Sequence, residues 1–358
     1  MFNNLPSATK DPIFEVFSQY SADPNPKKVN LGIGIYTDKE NKPFVFPSVQ
    51  KAVAELDINN FNYQPIPGDP KFLGITAKLN LGDDFDLSTL SMQSTCGGTQ
   101  ACRMFADLMM RAGKNKILYG LPTWENHPGL FRNLEVTTFP HLNEQHEVEF
   151  SNYKKAVQEA DNGSILLLQG SQTHNPIGKN LTTEQVQELI PLLNEKDMII
   201  FIDMAYLGMG DGLEEDRKMT QAIFKECKFC AIGASYSKNA SLYEHRTGAL
   251  IIKNDIKDLV TANLKNIMRE SVSNPPGFGI ETIIHLFENH HDQWRKELEE
   301  VRLEILKARE DFVNALPQFE HARNGRGMFG LLHISPEQIN RLRDEYFNKI
   351  EKRLSKMN

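Results

Sequence analysis

Five short apolar runs in the middle of the chain constrain the fold more than any other feature: Lys116–Tyr119, Ile165–Gln169, Met198–Asp203, Cys230–Ala234 and Ala249–Lys253. None alternates polar with apolar residues, which is how a strand covered on both faces reads. Helical segments separate them. Ala101, Phe105, Leu108 and Met109 recur at helical spacing, and Thr182-Thr183-Glu184-Gln185 is a capping-box pattern opening a helix through Val186, Leu189 and Ile190. Strands alternating with helices predict a largely parallel sheet wrapped by helices, an α/β fold.

The last third differs. Trp294, Leu298, Val301, Ile305, Ala308, Phe312 and Leu316 step by three or four, predicting one long amphipathic helix stopped by Pro317. Ser335-Pro336-Glu337-Gln338 opens another, with Ile339, Leu342, Tyr346, Ile350 and Leu354 as its apolar face. The simplest partition is a large domain over 45–302 and a smaller one from both chain ends, 1–44 with 303–358.

Composition narrows the function classes. The chain of 358 residues is 40% hydrophobic and 24% charged, as expected of a soluble globular protein. Its net charge of −7 includes no strongly basic block, so neither nucleic acid nor an acidic membrane is the expected partner. No stretch approaches the roughly 20 apolar residues of a membrane span. Residues Met1–Lys10 lack a secretory pattern, and a cytoplasmic location is expected. The pair Cys227 and Cys230 has no second ligand pair at zinc spacing, so buried, reduced cysteines are the expectation.

Ligands of open α/β sheets bind at the strand ends, and several segments break pattern there. Thr95-Cys96-Gly97-Gly98-Thr99 precedes a helix, where glycine backbone and free N–H groups suit an anion, although such turns are also ordinary structure. Ser235-Tyr236-Ser237-Lys238-Asn239 follows the strand ending at Ala234, so Lys238 would be an amine close to dry protein. Arg246, followed by Gly248, supplies dianion chemistry. Asp203 ends an apolar strand and needs a partner, which could be a helix end, a metal or a protonated ring nitrogen. Tyr206 follows three residues later. His174-Asn175-Pro176-Ile177-Gly178 is a turn after another strand. Trp124, in Pro122-Thr123-Trp124-Glu125-Asn126-His127, is one of two tryptophans and lies in a loop, where it could stack on an aromatic ligand or fill a satellite core. Together these residues offer what pyridoxal phosphate requires.

Their order and spacing resemble the aspartate aminotransferase family, from near the N-terminus to about Glu345. The resemblance rests on Val29-Asn30-Leu31-Gly32-Ile33-Gly34-Ile35-Tyr36, on Ser235 to Asn239 with Leu242-Tyr243, and on the steps Lys238 to Arg246, Asp203 to Tyr206 and Trp124 to His127. It implies fold-type I, a large domain with a mostly parallel seven-stranded sheet plus a smaller α/β domain. It implies transamination between a dicarboxylic or aromatic amino acid and a 2-oxo acid, with pyridoxal 5'-phosphate as cofactor. By the same resemblance Lys238 bonds to the cofactor. Asp203, supported by His127, holds its ring nitrogen. Asn175 and Tyr206 bind its ring oxygen, and Trp124 stacks on it. Gly98, Thr99, Ser235 and Arg246 cradle its phosphate. Tyr63 reaches the phosphate of a neighbouring subunit, implying a homodimer with shared sites. Gly34, Trp124, Asn175 and Arg269 meet substrate, Arg269 by pairing with a distal carboxylate.

The sequence also departs from the family. Gly-Arg-x-Asn-x-x-Gly, whose arginine binds the substrate α-carboxylate, is not found. After Met328-Phe329-Gly330 and Ile334–Ile339 the match fades near Tyr346-Phe347, and Asn348 to Asn358 reads as a charged helix on which Arg353 is solvated. Losing such a partner typically costs on the order of 3–5 kcal/mol. The competing expectations are therefore a cofactor-binding protein with little or no activity, or another reaction on the same scaffold. Smaller departures lie at Ile177, Leu207, Met209, Ala240-Ser241 and His245.

Overall fold

The computed structural model describes residues 17–18, 20–25, 28, 34–38, 40, 42–57, 62–335 and 337–338. The chain forms two compact units, Met1–Val45 and Phe46–Asn358. In the first, Thr37 bridges Pro43 and the rings of Tyr36 and Phe44 meet edge to face at 5.3 Å.

The second unit is built on one seven-stranded sheet. Its strands are β1 (Leu90–Cys96), β2 (Lys116–Leu121), β3 (Glu135–Pro140), β4 (Ile165–Gln169), β5 (Ile199–Met204), β6 (Phe229–Ser235) and β7 (Thr247–Lys253), in the order β1-β7-β6-β5-β4-β2-β3. The pairs from β3 to β6 are parallel. β7 runs antiparallel to both β6 and β1. All five apolar runs are strands, extended by one or two residues at some ends and shortened by one at Met198, which lies outside β5. β1 and β3 are additional.

The helices are α1 (Pro47–Ala54), α2 (Pro70–Leu81), α3 (Gly97–Arg111), α4 (His127–Leu130), α5 (Phe150–Glu159), α6 (Thr183–Glu195), α7 (Leu213–Glu226), α8 (Lys257–Ser271), α9 (Gly277–Asn289) and α10 (His291–Ala315). α3 buries its face of Ala101, Phe105, Leu108 and Met109 against the sheet, with Phe105 stacked on Phe201 at 4.2 Å. Gly233 makes that approach possible, because a Cβ there would lie 3.1 Å from Phe201 and 3.3 Å from Ala101. At the exposed edge, Lys116 of β2 pairs with Glu135 of β3 and with Asp161, charges that discourage another strand from adding. Cys227 and Cys230 are free and buried. No helix among the described residues is long and apolar enough to cross a membrane.

The capping box forms as read. Gln185 N donates to Thr182 Oγ1 at 3.2 Å, and Thr182 N to Gln185 Oε1 at 2.9 Å. Thr182→Ala removes the side-chain acceptor and is expected to cost about 1 kcal/mol, read as a lower urea midpoint at unchanged slope. An unmoved midpoint would show that the cap contributes nothing.

The long helix α10 buries Trp294, Leu298 and Val301, but the expected stripe does not continue evenly. Ala308 is exposed and Val313 is buried instead. Between them Arg309 is half-buried and donates to the carbonyls of Ala322, Gly327 and Phe329, tying down the segment that follows. Ser335 and Gln338 make the second capping box, with Ser335 N to Gln338 Oε1 at 2.7 Å and Gln338 N to Ser335 Oγ at 3.2 Å. The rest of that helix, with Ile339, Leu342, Tyr346, Ile350, Leu354 and Arg353, lies outside the described residues, as do residues 29–33 of the early loop.

Candidate active site

Sheet register assembles the site. Gln169, Asp203 and Gly233 lie side by side at the ends of β4, β5 and β6. One strand over, Gly248 of β7 faces Ser235 on one side and Thr95 on the other. Residues far apart in the chain thus share two neighbouring rows, two residues apart on β6, at the end of the sheet where α/β folds bind ligands.

Lys238 sits in the turn leaving β6. Its Nζ lies 4.6 Å from the centre of the Tyr243 ring. Burial, aided by the positive charge of Arg246, pulls its pKa down from 10.5 to about 8. Two contacts pin the turn. The hydroxyls of Tyr236 and Thr76 meet at 3.0 Å, and Trp294 Nε1 donates to Asn239 O at 2.8 Å.

Beside the lysine is a cradle with no room for side chains. Gly97 has φ +73°, and a Cβ on it would lie 2.7 Å from an Arg246 nitrogen. A Cβ on Gly98 would meet Ser235 Cβ at 3.2 Å and Asp203 Oδ1 at 3.9 Å. A Cβ on Gly248 would strike backbone, at 2.5 Å from Ala234 O. Gly97, Gly98 and the half-buried Thr99 form the first turn of α3, where backbone N–H groups and the helix dipole favour an anion. Arg246 donates to Ser237 Oγ at 3.3 Å, Tyr243 O at 3.0 Å and Cys96 O at 3.4 Å. Those partners are neutral oxygens, and a guanidinium has further N–H groups with which to hold an anion.

On the other side is a buried carboxylate. Asp203 is 7% exposed, and its Oδ2 lies 3.0 Å from Nε2 of the fully buried His127. Behind it a chain of contacts runs through the neighbouring loops. His127 Nδ1 is 2.7 Å from Thr123 Oγ1, which accepts from Gln169 Nε2 at 3.2 Å, and Gln169 Oε1 accepts from Asn175 N at 2.7 Å. Trp124 is half-buried with its ring edge-on to His127 at 5.4 Å. Tyr206 hydrogen-bonds the Asn175 side chain, and burial with the nearby Asp203 charge pushes its phenol pKa up.

The structure thus gathers Lys238, Gly98, Ser235, Arg246, Asp203 and His127 on one side of the sheet, with Trp124, Asn175 and Tyr206 in adjoining loops. Tyr63 is 89% exposed, and Arg269 is exposed at the end of α8, donating to Ser273 Oγ. Neither is enclosed by its own chain. Gly34 belongs to the first unit. Sequence reasoning named Gly97, Thr123, Gln169 and Tyr243 within its motifs but gave none of them a role of its own. Gln169 carried the signal that singled out Asp203, a polar residue ending an apolar strand.

The profile of the aminotransferase class I and II family matches residues 26–353, nearly the whole chain. The chain belongs to that family. Among curated relatives, this aminotransferase is 33% identical to the aspartate aminotransferase of Escherichia coli, over 97% of this chain and 92% of the relative. It is 32% identical to the aromatic-amino-acid aminotransferase of Paracoccus denitrificans, with the same coverage. Among solved structures, the aromatic-amino-acid aminotransferase of Burkholderia pseudomallei, covalently bound to pyridoxal phosphate, superposes with a TM-score of 0.90 at 31% identity, covering 96% of this chain and 91% of that one. The aspartate aminotransferase of Saccharomyces cerevisiae cytoplasm gives a TM-score of 0.90 at 29% identity. The mostly parallel seven-stranded sheet of the aminotransferase is the fold-type I sheet expected from the resemblance.

The lowered basicity of Lys238 gives this aminotransferase a measurable pH signature. At pH 7.5 about a quarter of amines with a pKa near 8 are neutral, against about one in a thousand for an ordinary lysine. Competitive labelling of the ligand-free protein should therefore show Lys238 reactivity rising with a midpoint near pH 8. A midpoint above 10 would remove the argument from burial.

Proposed function

We propose that this aminotransferase carries an amino group between an aspartate- or glutamate-like, or aromatic, amino acid and a 2-oxo acid, using pyridoxal 5'-phosphate. The observation that carries the reading is the juxtaposition of a buried, weakly basic amine with an anion cradle and a buried carboxylate. The donor set suits the cofactor. Gly98, Thr99, Ser235 and Arg246 would hold its phosphate, Asp203 backed by His127 its ring nitrogen, Asn175 and Tyr206 its ring oxygen, and Trp124 its ring face. Lys238 would hold it covalently. Bound there, the cofactor supplies an electron sink for the pair left when the substrate loses its α-proton.

The chain's own residues do the rest. Lys238, about half neutral at pH 8, takes the α-proton and gives it back. Asp203 presents its carboxylate to the ring nitrogen with His127 behind it. Gly34, Trp124, Asn175 and Arg269 orient the substrate, Arg269 by a bidentate contact with a distal carboxylate. That role needs a second copy of the chain, as does Tyr63 at the neighbour's phosphate, so a homodimer with shared sites is part of the proposal. So are the partition into 45–302 and 1–44 with 303–358, and a cytoplasmic location.

The relatives' names speak for transamination rather than for the inactive alternative. Aspartate with 2-oxoglutarate should give steady production of oxaloacetate and glutamate, and aspartate alone should bleach the bound-cofactor absorbance. Persistence of that absorbance under saturating aspartate, glutamate and phenylalanine would overturn the reading. Carbon dioxide or ammonia as product would move it to another reaction on the same scaffold.

A further inference from the structure

A second group of ligating side chains lies outside the site around Lys238. Glu55 caps the C-terminal end of α1, His285 lies in the last turns of α9, and His290 caps the C-terminal end of α9. Both imidazoles aim Nε2 at the same oxygen, Glu55 Oε2, each at 2.8 Å. The three ligand atoms all lie within 4.8 Å of one another. Among the described residues this is the one set of three His, Cys, Asp or Glu side chains that converges in this way.

We propose that Glu55, His285 and His290 form a binding site for a borderline divalent transition cation, of which zinc is the type. Two imidazoles and a carboxylate are a donor set for such ions, and calcium and magnesium prefer oxygen alone. Zinc with ligands at about 2.0–2.2 Å places them about 3.3 Å apart. The two 2.8 Å contacts must therefore open by about half an ångström. The Glu55 side chain is 49% exposed and can supply that movement, and it leaves the open side to water as a fourth ligand. In the empty site both Nε2 atoms donate to the carboxylate. On binding, each ring keeps one proton, on Nδ1, and turns the Nε2 lone pair to the metal. Glu55 and His290 both cap C-terminal helix ends, where the helix dipole favours a cation. Neighbouring His291 takes no part, its ring being stacked on Phe287 and Trp294. The bound ion would clamp the end of α1 to the end of α9.

The experiment uses the full chain with its cofactor, stripped with a chelator and titrated with zinc chloride in a calorimeter. One zinc per chain is expected, together with a rise in Tm that magnesium chloride does not produce. His285→Gln with His290→Gln should weaken zinc binding by about 100-fold or more, at least what loss of an outer-shell partner costs, and abolish the Tm rise. Cofactor absorbance and transamination should stay at wild-type levels, which shows that the variant is folded. Glu55→Gln, at an exposed position, keeps an oxygen acceptor for the imidazoles but lacks the anionic ligand, and should also lose zinc. A structural hydrogen-bond tie alone predicts no zinc binding by the wild type. Zinc binding that survives in both variants places the ion elsewhere. Either result overturns the proposal.

Discussion

Lys238→Ala is expected to lower kcat by at least about 10^4-fold, the upper range for loss of one general base, with the covalent anchor lost as well. Burial beside Arg246 holds this amine near pH 8, poised for proton transfer close to neutrality. An ordinary lysine would be almost wholly protonated there. The adjacent Ser237 and Tyr243 are poor replacements, because serine and phenol hydroxyls ordinarily keep their protons near neutral pH. The anion cradle is untouched by the substitution, since Gly97, Gly98 and Gly248 pack against Arg246, Ser235 and backbone. The variant should therefore still retain the phosphorylated cofactor, without its covalent link, and be stable to thermal unfolding. Residual turnover above about 1% of wild type would mean that the base is another residue.

Asp203→Asn should cost on the order of 3–5 kcal/mol in kcat/KM, a loss of two to three decades or more. The substitution preserves shape and removes charge. Asp203 is buried and faces His127 Nε2 at 3.0 Å, so the amide must either present a donor to a donor or turn its oxygen that way and leave its nitrogen facing the ligand. In the proposed role, the charge that would keep the cofactor's ring nitrogen protonated is gone in both orientations. His127→Asn should cost less than Asp203→Asn, because it removes the support and not the charge. Steady-state kinetics at saturating cofactor separates this from weakened cofactor binding. A loss under tenfold would show that the carboxylate is only structural.

Much of the sheet was legible because its centre is dry on both faces. β4 to β7 are near-continuous apolar runs, and such runs have few other homes. β1 was missed for the opposite reason. Its Ser91, Gln93, Ser94 and Thr95 look like loop residues yet are buried. Gln93 pays for its burial by donating to Ile66 O, and Ser91 by donating to Lys257 O. β3 was missed because it is an edge, with Glu135 to Thr138 exposed. The direction of β7 was not readable, since an apolar run looks the same in either sense. Within the site, Lys238 and Asp203 stood out by their places at strand ends, and Arg246 by its step from Lys238. What joins them is the register that sets Thr95, Gly248 and Ser235 in one row, and pairing across the sheet leaves no local mark. Thr123 went unread for a similar reason, because its work is done on a histidine four residues away.

The contacts behind Asp203 have a direction. A backbone N–H can only give a proton, so Asn175 N makes Gln169 Oε1 the receiving end and commits the amide nitrogen to giving. That nitrogen fills one lone pair of the Thr123 oxygen, which keeps a second lone pair and its own proton for its contact with His127 Nδ1. At the far end a carboxylate has only lone pairs to offer, so the imidazole nitrogen that meets Asp203 is the one that carries a proton. A peptide bond in the loop after β4 thus fixes one end of this chain of contacts and a carboxylate on β5 fixes the other, with the threonine hydroxyl between them able to serve either side.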